Sequence, residues 1–74
     1  MEDEAWRKRV VCDPGIMDGE PCIKGTRIPV SILVGSLAEV SVGELLKEYP
    51  QLTREDIQAA LWYAAEASKN FMVA

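Results

Sequence analysis

Clusters of turn-forming residues divide this sequence into a segment that cannot be continuously helical and a segment that can. Residues 13–15 read Asp-Pro-Gly and residues 18–21 read Asp-Gly-Glu-Pro, and both clusters favour turns. Short β-favouring runs lie on either side, at residues 9–12 and 22–24. The sequence therefore predicts an extended, turn-rich arm or a short β-hairpin over residues 1–28.

Beyond the arm, hydrophobic residues recur at the three-to-four spacing of amphipathic helices. Pro29 suits the first position of a helix, which predicts helix one over residues 29–39. Ser41 followed by Glu44 is a capping-box pattern for a second helix, which ends before Pro50. The predicted buried stripes are Val30, Leu33, Val34 and Leu37, and then Val42, Leu45, Leu46 and Tyr49.

A third helix is predicted from Thr53, a good N-cap followed by acidic residues in the first turn. Its predicted buried face contains Ile57, Ala60, Leu61, Ala64 and Ser68. The connection between helices two and three, residues 50–52, is short enough to hold them at a fixed angle. The expected fold is mainly α: one domain over residues 1–74 whose arm precedes a three-helix, homeodomain-like or helix-turn-helix bundle over residues 29–69.

Composition narrows the possible functions of a chain of this length. Its 74 residues allow one small core, and a hydrophobic share of 49% argues against disorder. There is no histidine, which removes the commonest general base and metal ligand. The net charge of −4 opposes indiscriminate binding to nucleic acid. These features predict a protein that is not an enzyme and binds no cofactor.

The expected location is the cytoplasm, since the sequence shows neither a membrane-spanning stretch nor a signal-peptide pattern after Met1. In that compartment Cys12 and Cys22 are expected to be reduced and to act as small hydrophobic residues. A bridge between them across a hairpin is the alternative.

An ordered series of motifs resembles the domain-of-unknown-function 433 family of small bacterial and archaeal proteins. The signature runs Gly-Glu-Pro-Cys-Ile-Lys-Gly-Thr-Arg-Ile-Pro-Val over residues 19–30, and matching pieces follow at residues 32–33, 45–53, 56–61 and 63–64. The resemblance implies a homeodomain-type bundle. It also implies an antitoxin of a toxin–antitoxin pair, which neutralises a PIN-like nuclease toxin and can repress by binding operator DNA.

Four residues are candidate nucleic-acid contacts. Lys24 and Arg27 surround a glycine turn whose backbone N–H groups could bind phosphate, although a purely structural role for Gly25 and Arg27 fits equally well. Arg54 and Gln58 would contact bases or phosphates if helix three entered a major groove. Acidic residues next to Arg54 oppose that use, so DNA binding is the secondary hypothesis.

Two tryptophans are candidate partner or dimer contacts. Trp62 falls on the polar side of helix three, where an exposed indole is typical of an interface, and Trp6 is its possible counterpart. The chain is therefore predicted to self-associate. The competing hypotheses are a structural homodimer that binds no DNA, and a metal-dependent enzyme that uses the turn acids Asp13, Asp18 and Glu20. Because these acids also suit turns, no metal site is predicted.

Overall fold

A computed structural model describes residues 5–15 and 17–69. In these ranges the structure is mainly helical, with three α-helices and a small two-stranded antiparallel sheet. A 3-10 helix opens it at Ala5–Arg9 and a 3-10 turn lies at Met17–Gly19. The sheet and the helices are β1 (Val10–Val11), β2 (Cys22–Ile23), α1 (Val30–Ser36), α2 (Val42–Glu48) and α3 (Arg54–Ser68).

The two strands form the predicted hairpin, and a turn after β2 connects this hairpin to α1. Val10 pairs with Ile23 and Val11 with Cys22 in antiparallel register. After a turn in which Gly25 adopts φ 81°, the chain returns so that Pro29 bridges Cys22. Glycine reaches this positive φ without a steric penalty. The turn therefore delivers the chain to the start of α1 alongside the sheet.

The beginning of the chain departs from the predicted extended arm. Residues Ala5–Arg9 form a 3-10 helix that packs against α3, and Trp6 is only 5% exposed. The Arg7 guanidinium lies 4.5 Å from the centre of the Trp6 ring. Burying one large indole compensates for the weak hydrogen bonding of a 3-10 helix, which local sequence patterns do not reveal. Residues 1–4 of the predicted arm lie outside the described residues.

Both predicted N-caps are confirmed. Ser41 and Glu44 form a reciprocal capping box at α2, and Thr53 forms another with Asp56 at α3. The boundaries predicted for α1 are wrong, since the helix covers Val30–Ser36 rather than residues 29–39. Pro29 is the N-cap with an extended ψ of 144°, because its bridge to β2 holds it in strand geometry.

The core lies where the hairpin and the three helices meet. Its buried members are Ile23, Ile28, Val30, Leu33, Leu45, Leu52, Ile57 and Ala60. The predicted inward position of Leu61 is wrong, since this side chain is 42% exposed, whereas Ala59 is fully buried. The reason is that α3 packs against both α1 and the N-terminal 3-10 helix, which rotates its buried face away from Leu61.

Candidate functional site

An apolar depression lies between α1 and α3 on the described surface. This groove has a volume of about 430 Å³ and its walls are almost entirely apolar. Val30 and Val34 form one side, Ala64 and Ala67 the other, and Pro21 closes one end. The alanine side chains on α3 are small, which leaves room in the groove for the side chains of another helix. Such a groove suits the apolar face of a partner helix.

A second concavity lies along α1 and shares lining residues with the first. It has a volume of about 410 Å³ and includes Ile32, which is 49% exposed. Ser31 and Gly35 line both concavities. A Cβ atom added to Gly35 would meet nothing within 4 Å, so the space beside this residue is open where both concavities border it. We call the two concavities together the α1 surface.

Acidic side chains surround the α1 surface. The charged residues that line the two concavities are Glu20, Glu39 and Glu48, and all three are exposed. The hydroxyl of Ser31 donates a hydrogen bond of 2.8 Å to Glu20 Oε1, which holds this carboxylate beside the groove. An apolar floor with an acidic rim favours a partner segment that is both apolar and basic.

Sequence reasoning missed the α1 surface, although two signals were present. Gly35 lies inside a helical pattern, where glycine costs about 0.5–1 kcal/mol relative to alanine and so indicates a packing or functional reason. Ile32 is a large hydrophobic residue outside the predicted buried stripe. Neither signal reveals the groove itself, because its second wall comes from α3.

Lys24 and Arg27 lie together on the turn after β2, and both are exposed. The backbone N–H of Lys24 donates to the carbonyl of Arg9 at 2.7 Å, and that of Thr26 donates to the carbonyl of Ile23 at 3.0 Å. The prediction that backbone N–H groups of this turn bind phosphate is therefore wrong for these two. Any phosphate contact here comes mainly from the two exposed cationic side chains.

Arg54 and Gln58 lie one turn apart on the exposed face of α3. Of the two acids next to Arg54, Glu55 is exposed, whereas Asp56 is largely covered and accepts a hydrogen bond from Arg9 at 3.0 Å. Asp56 also accepts from the backbone N–H of Thr53 at 2.9 Å. The Asp56 carboxylate is thus paired within the chain. The Glu55 carboxylate remains exposed beside Arg54 and still opposes DNA binding.

The two tryptophans are not equivalent. Trp62 is 38% exposed, as an interface residue should be. Trp6 is buried in its own chain and lines a small depression with Tyr63 and Glu66. Its side chain therefore has little surface to offer a partner, and the suggested contact role of Trp6 is replaced by a structural one.

The two cysteines are separate thiols in different surroundings. Cys22 is buried, and this burial together with the nearby Glu20 raises the pKa of its thiol, which keeps it protonated and unreactive at neutral pH. Cys12 is exposed, so it does not bury its side chain as the predicted small hydrophobic residue would. Its sulfur lies 3.8 Å from the Tyr63 hydroxyl, and burial, followed by this contact, raises the pKa of Tyr63.

The turn acids have local structural contacts. Asp13 Oδ1 accepts a hydrogen bond of 2.8 Å from the backbone N–H of Gly15, and Asp18 adopts a left-handed conformation with φ 57°. Within residues 5–15 and 17–69, no three His, Cys, Asp or Glu side chains cluster as metal ligands. In the same ranges, no helix combines the length and apolarity needed to cross a bilayer.

The signature around β2 and the beginning of α1 connects the chain to a known group of proteins. The model of the family described as "Protein of unknown function (DUF433)" matches residues 10–64, which includes both strands and most of α3. The chain belongs to the DUF433 family. The predicted family assignment is thereby confirmed.

One relative is the uncharacterized protein y4eO of Sinorhizobium fredii (strain NBRC 101917 / NGR234), which is 39% identical over 61 residues. The match covers 81% of this chain but only 28% of that protein, so the chain corresponds to one part of a longer relative. No solved structure matches the chain.

Proposed function

We propose that this DUF433 protein is an antitoxin-like binding protein that neutralises a nuclease-like toxin by accepting an apolar, basic segment of the toxin on the α1 surface. The observation that carries this proposal is the apolar groove between α1 and α3 with its rim of Glu20, Glu39 and Glu48. A helix that lays one apolar face in such a groove obtains affinity from burial and specificity from the rim.

Charge supports the same class of partner. The chain carries a net charge of −4 and has a sequence pI of about 4.6. A nuclease must attract the phosphates of its substrate and therefore presents a cationic surface. An acidic protein that covers this surface both gains electrostatic attraction and blocks access of the nucleic acid. The partner that fits best is thus a basic, PIN-like nuclease, as the family resemblance implies.

The neutralisation test uses the product of a PIN-like reading frame next to the gene for this chain. We expect its expression alone to arrest growth and co-expression with the wild-type chain to restore it, with the two proteins purifying as one complex. A neighbouring nuclease whose toxicity is unchanged by the chain would contradict the proposal. It would favour the alternative, a structural homodimer.

DNA binding is a secondary part of the proposal. The connection between α2 and α3 is short, and Arg54 and Gln58 are exposed at the start of α3, as in homeodomain-like helix-turn-helix proteins. Residues 30–74 hold three basic and six acidic side chains, and this excess repels phosphate. Lys24 and Arg27 therefore supply the principal cations, doubled by dimerisation or supplemented by the toxin.

We predict that the isolated protein binds duplex DNA weakly and that its complex with the toxin binds better. A salt series of fluorescence-anisotropy titrations should show that Arg27→Ala reduces the salt dependence by about one phosphate contact. Arg54→Ala should have the smaller effect. Tight, salt-steep binding by the isolated protein that depends on Arg54 and not on Arg27 would instead identify α3 as the principal DNA-reading element.

A further inference from the structure

The solvent-exposed face of α3 carries a regularly spaced set of residues that do not line the α1 surface. Five exposed residues follow each other at alternating spacings of three and four: Glu55, Gln58, Trp62, Ala65 and Lys69. Residues at this spacing lie along one side of a helix, the side that faces a partner when two helices pack together. We call these five residues the Trp62 seam.

The charges of the Trp62 seam are placed symmetrically about the indole. Glu55 precedes Trp62 by seven residues and Lys69 follows it by seven. Seven helical residues rise about 10.5 Å and return to within about 20° of the starting direction. Lys69 continues the helical backbone with φ −60° and ψ −28°. An acid, an indole and a base therefore lie nearly in line at equal distances.

We propose that two copies of the chain associate through the Trp62 seam, with their α3 helices antiparallel and the two-fold axis at Trp62. This arrangement places Glu55 of each copy opposite Lys69 of the other and stacks the two indoles at the centre. A parallel arrangement would instead place like charges opposite each other. The order of charges along the helix therefore selects a second copy of this chain in antiparallel orientation.

The packing and the existing contacts of the seam agree with this arrangement. Ala65 is small enough to leave room for the neighbouring indole, and the exposed Leu61 extends the apolar area beside Trp62. Lys69 Nζ lies 3.8 Å from Glu66 Oε1 in an exposed pair, and such pairs contribute little. The Lys69 side chain can therefore turn toward a second copy at small cost.

The inference goes beyond the proposed function and does not rest on it, since the groove of the α1 surface uses Ala64 and Ala67 on another face of α3. It has a consequence for nucleic acid. An antiparallel dimer covers Gln58, so self-association and insertion of α3 into a DNA groove exclude each other. Lys24 and Arg27, on the turn after β2, lie outside the seam.

Sedimentation velocity of the full chain over a concentration series tests the proposal through charge reversal. Trp62→Ala should weaken association at least about thirtyfold, because a central tryptophan is lost from both copies. Glu55→Lys or Lys69→Glu alone should weaken it about tenfold, since each turns two attractive pairs into repulsive ones. The double variant E55K/K69E restores both pairs and should associate within about threefold of wild type.

Lys47→Glu is the matched control, because it changes the net charge as Lys69→Glu does but lies on α2, outside the seam; it should leave association unchanged. Circular dichroism establishes that each variant is folded. A wild-type monomer at high micromolar concentration would overturn the proposal. So would a double variant that associates as weakly as the single variants, because the Glu55–Lys69 pairing would then be absent.

Discussion

Ile57→Ala is expected to lower the free energy of unfolding by about 3 kcal/mol, which is a large fraction of the total stability of a chain of this size. Ile57 is only 1% exposed and packs in the core shared by the hairpin and the helices. Truncating such a residue removes its transfer free energy and leaves a cavity, for a total of about 2–5 kcal/mol. A chain of this size has only about 4–11 kcal/mol in all.

The matched control lies one turn along the same helix. Leu61→Ala removes a side chain of similar size, but one that is 42% exposed, and alanine is the better helix former. We expect a change within about 0.5 kcal/mol, measured by urea denaturation at a concentration below self-association. Equal destabilisation by the two substitutions would show that α3 buries the face predicted from its sequence pattern rather than the face in the structure.

The contrast between Ile57 and Leu61 shows where prediction from sequence reached its limit. The sequence pattern correctly predicted three helices, the capping box at Ser41, the N-cap Thr53 and, as one of two alternatives, the hairpin, because each depends on local sequence signals. Which face of α3 is buried depends on the two elements that pack against it, α1 and the N-terminal 3-10 helix. Since the second partner was predicted to be extended, the contribution of Trp6 to burial was missing, and Leu61 was placed inside.

The candidate site could likewise be predicted only in part, because some of its features follow from local sequence pattern and others from the packing of separate elements. The exposure of Lys24, Arg27, Arg54, Gln58 and Trp62 follows from local pattern, and the structure places all five at the surface. The α1 surface is formed by side chains from all three helices and from the segment before α1, and α1 and α3 are distant in sequence. Only the packing of these elements shows that Gly35 lines two concavities.

Gly35→Trp is expected to weaken binding to the nuclease-like partner at least about a hundredfold while leaving the protein folded. The position is exposed, and an added Cβ meets nothing within 4 Å, so a large side chain can project outward without disturbing the core. It would then occupy space that borders both concavities. A partner helix would lose contact with the apolar floor formed by Val34 and Ala64.

Gly35→Ala is the matched control, because it adds one methyl group at the same place and leaves both concavities accessible. It should bind as wild type and increase the free energy of unfolding by about 0.5–1 kcal/mol, since alanine replaces glycine inside a helix. Glu39→Lys should mainly slow association and reduce its dependence on salt, as expected for a charge at the rim.

The central claim is that the α1 surface binds the toxin, and isothermal titration of the purified nuclease-like partner with Gly35→Ala and Gly35→Trp tests it most directly. The proposal predicts wild-type affinity for the alanine variant and a loss of at least about a hundredfold for the tryptophan variant, with both variants folded. Equal affinities for the two variants would contradict it and place the binding site elsewhere on the protein.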